Sequence, residues 1–279
     1  MRILVTDGMD KSAQEKLREM GHEVVEQFYE PDELGKALQG KLKLIIRGGV
    51  GVDNIDVAYA KEKGIEVRNT PKASSQSVAE LALGHMFSCA RYISISGHTM
   101  REGKWEKKAY GKGTEVCGKA VGIIGYGRIG HCLGAMCKAL GMDVMAYGAH
   151  HEPGTVADDG TPYVSLDELF AKSDFISLHA PKADGPIVTA ENIEKMKDGV
   201  IIINTSRGAN IDDDALLAAL DSGKVRAAGL DVYPVEPAEN AALYAHPAVS
   251  CTPHIGASTK EAQKRIGEEI VSIIKEFNA

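Results

Sequence analysis

Arg207, Glu236 and His254 each stand just past an apolar run that reads as a β-strand. Their segments are Ile203-Asn204-Thr205-Ser206-Arg207-Gly208, Gly229-Leu230-Asp231-Val232-Tyr233-Pro234-Val235-Glu236-Pro237 and Cys251-Thr252-Pro253-His254-Ile255-Gly256. These residue types suit the reduction of a carbonyl that lies beside a carboxylate. Hydride must reach carbon and a proton must reach oxygen. A histidine titrates near neutrality and can supply that proton. A carboxylate beside it fixes its orientation and favours its charged form. An arginine can grip the substrate carboxylate and polarise the carbonyl. Taken singly, each residue has a plainer reading: a surface ion-pair arginine, a solvated glutamate before proline, and one structural histidine among nine. Their joint placement at strand ends, where open α/β sheets bind ligands, is what carries the chemistry.

The hydride source is written upstream, in Val121-Gly122-Ile123-Ile124-Gly125-Tyr126-Gly127-Arg128-Ile129-Gly130. An apolar strand runs into G-x-G-x-x-G, and an apolar-periodic helix follows through Leu140. Gly125 permits the tight turn, Gly127 lets backbone approach a pyrophosphate, and Gly130 lets the helix pack closely on the sheet. The helix N-terminus then points free N–H groups at the phosphates. With thirty glycines in the chain, a ligand-free strand–helix turn is the competing reading. The strand and helix on either side favour a dinucleotide. The acid expected at the end of the second strand is replaced by Gly148, followed by His150 and His151. Losing that carboxylate removes its repulsion of a 2′-phosphate, so both NAD and NADP stay open. The two histidines read equally well as exposed loop residues.

Positioning such groups needs a parallel sheet. The chain alternates β-branched runs with amphipathic stretches, the pattern of α/β architecture. Strands are predicted at Ile3–Thr6, Glu23–Val25, Leu42–Ile46 and Ile65–Arg68, with helices at Lys11–Met20, Pro31–Leu38, Ile55–Lys63 and Ser74–Arg91. A polar stretch, Ser96–Thr114, reads as the linker into a second α/β unit. That unit has strands at Ala120–Gly125, Met142–Tyr147, Phe175–His179, Val200–Asn204, Val225–Asp231 and Val249–Thr252, and a charged helix at Thr259–Phe277 closes the chain. A length of 279 residues suits two domains, and 44% hydrophobic with 25% charged residues is an ordinary globular mix. The net charge of -7 argues against a nucleic-acid partner. No apolar run approaches the length of a membrane span, and no signal-peptide pattern opens the chain, so a soluble cytoplasmic protein is expected. The five cysteines form no C-x-x-C pair and read as reduced thiols, and no metal-ligand set is expected.

Together with Gly48-Gly49-Val50-Gly51-Val52-Asp53-Asn54-Ile55-Asp56, these motifs span most of the chain. In that order they resemble the D-isomer-specific 2-hydroxyacid dehydrogenases, and within them the 3-phosphoglycerate dehydrogenase branch. The resemblance implies two Rossmann-like or flavodoxin-like parallel-sheet domains with the active site in the cleft between them. It implies a discontinuous substrate domain, 1–93 plus 258–279, a dinucleotide-binding domain, 94–257, and a homodimer. By the same likeness, Arg207 binds the substrate carboxylate and carbonyl, His254 is the general acid/base, and Glu236 hydrogen-bonds it. Gly125, Gly127, Arg128, Ile129 and Gly130 would follow the pyrophosphate. Gly148, Ala180, Thr205, Ser206, Asp231 and Gly256 would line the cofactor, with Asp231 near the nicotinamide carboxamide. Gly49, Val50 and Gly51 would present N–H groups to the substrate.

The implied substrate pair is 3-phosphoglycerate and 3-phosphohydroxypyruvate, as in serine biosynthesis. The alternative is a hydroxypyruvate or general 2-oxo-acid reductase, and an NAD(H)-sensing, corepressor-like scaffold is the alternative from another class. Two departures bear on this. The family has a further strand and helix before the segment matching Lys41–Ile46, ending in an arginine that helps hold the substrate phosphate. Here Leu38-Gln39-Gly40 runs directly into Lys41, which leaves Arg47 as the candidate phosphate partner beside its plainer reading as a strand-end ion pair. The chain also stops at Ala279 with no appended regulatory domain, so feedback through one is not expected.

Overall fold

The computed structural model describes residues 1–6, 8–29, 33 and 42–278. The expected helix Pro31–Leu38 and the connection through Gly40 and Lys41 lie outside the described residues. The chain forms two compact units, Met1–Ser77 with Ala257–Ala279, and Val78–Gly256.

The first unit opens with β1 (Arg2–Val5), α1 (Lys11–Glu19), β2 (Glu23–Glu26), β3 (Leu44–Arg47), α2 (Val57–Glu62) and β4 (Glu66–Asn69). Asp10 caps α1 by accepting from the Ala13 N–H at 3.2 Å, and Asp56 caps α2 through Tyr59 N–H at 2.8 Å. The strands make two separate parallel ladders, β1 with β2 and β3 with β4. Among the described residues no ladder joins β1 to β3. The core of this unit, among the described residues, is formed by Ala13 and Leu17 packed on Val271 and Ile274 of the terminal helix, with Ile3, Val24 and Ile46 against them.

α3 (Ser75–Arg91) leads out of this unit, followed by α4 (Ile93–Arg101). The boundary expected from the sequence is 93/94, whereas the units divide after Ser77. The reason is burial: Ala79, Ala82, Met86, Cys89 and Ala90 of α3 sit in one core with Val121, Ile123, Leu133 and Phe175. α4 also corrects the expectation of a plain linker over Ser96–Thr114, since the first part of that stretch is helical.

The second unit continues with β5 (Ala120–Ile124), α5 (Arg128–Ala139), β6 (Asp143–Tyr147), α6 (Leu166–Lys172), β7 (Phe175–Leu178), α7 (Ala190–Glu194), β8 (Val200–Asn204), α8 (Asp213–Ser222), β9 (Val225–Leu230), α9 (Ala241–Tyr244) and β10 (Val249–Cys251). α10 (Lys260–Phe277) then returns to the first unit. The six strands form one parallel sheet in the order β10-β9-β8-β7-β5-β6. β7 and β8 are buried along their whole length, as a parallel sheet covered on both faces requires.

The contrast between the units has a measurable consequence. β1 and β3 are at most half-buried, whereas β7 and β8 are buried throughout. Amide hydrogen exchange should therefore be slower in β7 and β8 than in β1 to β4, by about a hundredfold or more. Equal protection in both units would contradict this account.

Candidate active site at the strand ends of the second unit

The last residues of all six strands lie in one register row. Tyr147 pairs with Ile124, Ile124 with Leu178, Leu178 with Asn204, Asn204 with Leu230, and Leu230 with Cys251. The glycine motif and the Arg207, Glu236 and His254 segments all leave the sheet from this row. The sheet order reverses at β5, whose neighbours are β6 and β7, so the glycine motif sits at the switch point where such sheets bind nucleotides.

Gly125 has φ +92, and a Cβ there would lie 2.6 Å from Ala180 N. Only glycine lets β5 turn so close to the end of β7. Gly127 begins α5 with no side-chain cap, and no acidic residue stands in the first turn. A Cβ on Gly127 would meet nothing within 4 Å, whereas one on Gly130 would meet Gly125 O at 2.6 Å. The first turn thus offers uncapped N–H groups to open space, flanked by exposed Arg128 and half-buried Ile129. Thr205 Oγ1 is buried without a hydrogen-bond partner among the described residues. Uncapped donors and an unpartnered hydroxyl suit a pyrophosphate and the polar edge of a nicotinamide dinucleotide.

Gly148 is tightly built. A Cβ there would lie 2.8 Å from His151 Cδ2, and the His151 ring stacks on Tyr163 at 4.1 Å between centroids and 5° between planes. His151 therefore covers the place where a carboxylate would project. His150 is exposed.

The loop after β8 is held by asparagines. Asn204 is 1% exposed; its Oδ1 accepts from Ser206 N–H and Oγ–H, and its Nδ2 donates to Arg207 O. Asn210, fully buried, donates to Ala180 O at 3.1 Å and to Ser206 Oγ at 3.2 Å, which ties this loop to the end of β7. Sequence reasoning missed Asn210, because nothing in Gly208-Ala209-Asn210 marks a tie to Ala180. Arg207 Nη1 donates to Ser206 O at 2.6 Å. A Cβ on Gly208 would collide with the Tyr233 carbonyl, so glycine lets the Arg207 loop touch the loop that carries Glu236.

Glu236 and His254 meet directly. His254 Nδ1 and Glu236 Oε2 are 2.7 Å apart, and Glu236 Oε1 accepts from Tyr233 N–H at 3.2 Å. With the carboxylate as acceptor, Nδ1 carries the proton and Nε2 is left for exchange. The His254 side chain is 51% exposed in this arrangement. Its φ of +52 is left-handed, a conformation that costs a non-glycine residue about 1–3 kcal/mol. Asp231 holds that turn: Oδ1 accepts from Thr252 Oγ1 and Ile255 N–H, and Oδ2 from Gly256 N–H. The resemblance points Asp231 at the carboxamide; here both its oxygens serve the His254 turn. Gly256 follows the turn, with a Cβ position 3.0 Å from Asp231 Oδ2.

In the first unit, Gly49 O accepts from Thr70 N–H at 3.0 Å and Val50 O from Asn69 Nδ2 at 2.5 Å, which anchors the Gly49–Gly51 loop to the end of β4. Val50 is exposed. Arg47 folds back on its own loop, Nη1 donating to Gly48 O at 3.0 Å. Among the described residues no carboxylate pairs with it.

The family model for the NAD-binding domain of D-isomer specific 2-hydroxyacid dehydrogenases matches residues 83–256. The chain belongs to that family. It is accordingly a nicotinamide-dependent oxidoreductase of the type that acts on a CH–OH donor. It is 48% identical over 304 aligned positions to the hydroxypyruvate reductase of Thermotoga maritima, covering 99% of this chain and 98% of that one. With 279 residues here, at least 25 of those positions have no counterpart in this chain. It is 41% identical to the D-3-phosphoglycerate dehydrogenase of Mycobacterium tuberculosis over 84% of this chain, and spans 45% of the length of that relative. A glyoxylate reductase structure from Paecilomyes thermophila superposes with a TM-score of 0.87 at 31% identity, covering 98% of this chain and 94% of the other. Two further solved structures, each covering 99% of this chain, hold nicotinamide cofactors. The formate dehydrogenase of Staphylococcus aureus binds NAD (27% identity, TM-score 0.86, 95% of that chain), and an acyclic imino acid reductase binds NADPH (27%, 0.88, 97%).

His179, at the end of β7, is pushed down to about 4 by burial. The unfolded chain therefore takes up a proton there that the folded chain refuses. Its contribution to stability is complete above the ordinary histidine value, falls as pH drops through about 4, and has a limiting slope of about 1.4 kcal/mol per pH unit. Urea unfolding of the wild type should weaken between pH 7 and pH 4.5, and His179→Asn should flatten that dependence. An unchanged pH dependence in the variant would exclude His179 as its source.

Proposed function

We propose that this chain interconverts a D-2-hydroxy acid and its 2-oxo acid with NAD(P), and that the reductive substrate is hydroxypyruvate or a similarly small 2-oxo acid. The observation that carries the reaction is the 2.7 Å pair of His254 and Glu236 at the end of the sheet that also carries the glycine motif. The cofactor, when bound, supplies or accepts the hydride. Uncapped N–H groups at Arg128 and Ile129 would hold its pyrophosphate, and Thr205, Ser206 and Ala180 would line it. Arg207 binds the substrate carboxylate and draws electron density from the carbonyl. His254 Nε2 gives its proton to the carbonyl oxygen during reduction and takes one from the hydroxyl during oxidation. Glu236 keeps the imidazole in the productive tautomer and stabilises its charged form. Val50 and Gly51 would offer backbone N–H groups to the substrate carboxylate; the Gly49 N–H, expected to do the same, instead donates to Arg47 O at 2.8 Å.

Hydroxypyruvate is favoured over its phosphorylated form by the likeness to the Thermotoga enzyme, which covers 99% of this chain and 98% of that one. Arg47, whose Nη1 is committed to Gly48 O, points the same way. The second reading, 3-phosphoglycerate with 3-phosphohydroxypyruvate, needs that guanidinium to turn from Gly48 to a phosphate. Gly148 beneath His151 supports use of both cofactors, since no carboxylate stands there to reject a 2′-phosphate. A homodimer is supported by the exposed Ile93, Met100 and Trp105 in and after α4.

Steady-state assays with both cofactors test this reading. Hydroxypyruvate should show a higher kcat/KM than 3-phosphohydroxypyruvate, and NADH and NADPH should differ by no more than about tenfold. Faster turnover of the phosphorylated acid would transfer the assignment to the second reading, and strict NADH dependence would remove the role given to Gly148.

His254→Ala should lower kcat about a hundredfold to ten-thousandfold with NADH affinity nearly unchanged. Retention of wild-type turnover by this variant would remove His254 from the mechanism.

A further inference from the structure

The turn that carries His254 is backed by a chain of buried polar groups that the reaction does not touch. His85, on α3, is 3% exposed. Its Nδ1 lies 3.2 Å from Ser250 Oγ and its Nε2 lies 3.0 Å from Thr252 Oγ1. Thr252 Oγ1 donates to Asp231 Oδ1 at 2.6 Å. Asp231, 1% exposed, accepts from Ile255 N–H at 2.8 Å and Gly256 N–H at 2.9 Å, the two amides that follow His254. The hydroxyl of Thr252 has one proton, and Asp231 takes it. Thr252 oxygen therefore accepts, and His85 Nε2 carries the proton it receives.

The space for this ring is built. A Cβ on Gly229 of β9 would lie 2.6 Å from His85 Cβ and 3.0 Å from its Cγ, so glycine at that strand position admits the imidazole. Burial pushes His85 below the ordinary histidine value, against the opposing pull of the Asp231 charge. A buried, hydrogen-bonded imidazole is a high-stakes choice, because an apolar residue would fill the same helix position without needing partners.

We propose that His85 is a positioning residue: through Thr252 and Asp231 it fixes the left-handed backbone of His254, and with it the direction in which the imidazole presents Nε2. The proposal rests on His254 being the acid/base of the reaction. It explains why both Asp231 oxygens face the turn. It also explains why Ser250 and Thr252, alternate residues at the end of β10, both turn a hydroxyl toward α3.

The test uses His85→Leu, His85→Gln and Thr252→Val. His85→Leu removes both ring nitrogens. It should lower kcat about tenfold to a hundredfold and shift the His254 limb of the pH–rate profile, while NADH affinity by equilibrium fluorescence changes less than about threefold. His85→Gln keeps a nitrogen able to donate to Thr252 and should restore most of the rate. Thr252→Val breaks the same chain with His85 intact and should match His85→Leu. The double variant should be no slower than either single one. Should His85→Leu fail to fold, Thr252→Val and His85→Gln decide. Wild-type kcat and pH profile in Thr252→Val would overturn the proposal. If the wild type reduces no 2-oxo acid, the assigned reaction fails, yet NMR titration of the His254 imidazole still decides the relay. A His254 midpoint that is the same in wild type, His85→Leu and Thr252→Val would overturn it.

Discussion

The parallel register of the second unit's sheet is the constraint on which the site depends. Tyr147, Ile124, Leu178, Asn204, Leu230 and Cys251 end their strands in a single row. Parallel strands lie about 4.8 Å apart, so loops leaving neighbouring strands from one row begin within side-chain reach of each other. Slipping β9 by one residue against β8 would move Asp231 and turn its side chain to the opposite face. No long-range search is needed to bring Glu236 to His254, because β9 and β10 are adjacent and each needs only a short turn.

Beyond this row the loops are held by polar ties rather than apolar packing. Asn204, Asn210 and Asp231 are all buried, and each commits its side chain to backbone groups of a loop. Such ties specify direction as well as distance, which a hydrophobic contact does not. They also hold geometries that the backbone alone would avoid, as at His254, whose φ is +52. Both side chains of the central pair are partly exposed while His254 Nδ1 stays committed to Glu236.

Much of this could be read from the sequence, for reasons that differ by element. The strands of the second unit were legible because most are short, predominantly apolar runs ended by a turn. The glycine motif was legible because its spacing between an apolar strand and an apolar-periodic helix is a local pattern, although the contact that demands glycine at 125 is with distant Ala180. The pairing of Glu236 with His254 was implied by the family resemblance that the strand-end segments carry. Other features depend on tertiary contacts that no local pattern records. The burial of α3 against Val121 and Phe175 sets the division between the units at Ser77. His151 lies over Gly148 because Tyr163, distant in sequence, offers a ring to stack on. Asn210 and His85 carry no motif and declare themselves only through their partners.

The separate ladders of the first unit bear on how this protein behaves in concentrated solution. β2 and β4 carry Glu23, Glu26, Glu66 and Arg68, the charged composition that natural outer strands use against mispairing. β1 and β3 read Arg-Ile-Leu-Val and Leu-Ile-Ile-Arg, sequences suited to the interior of a sheet, yet among the described residues each is paired along one side alone. Apolar strands with a free backbone edge are templates for intermolecular β-pairing. Among the described residues these edges of β1 and β3 therefore favour intermolecular pairing on heating, and they are where an added strand would find backbone partners.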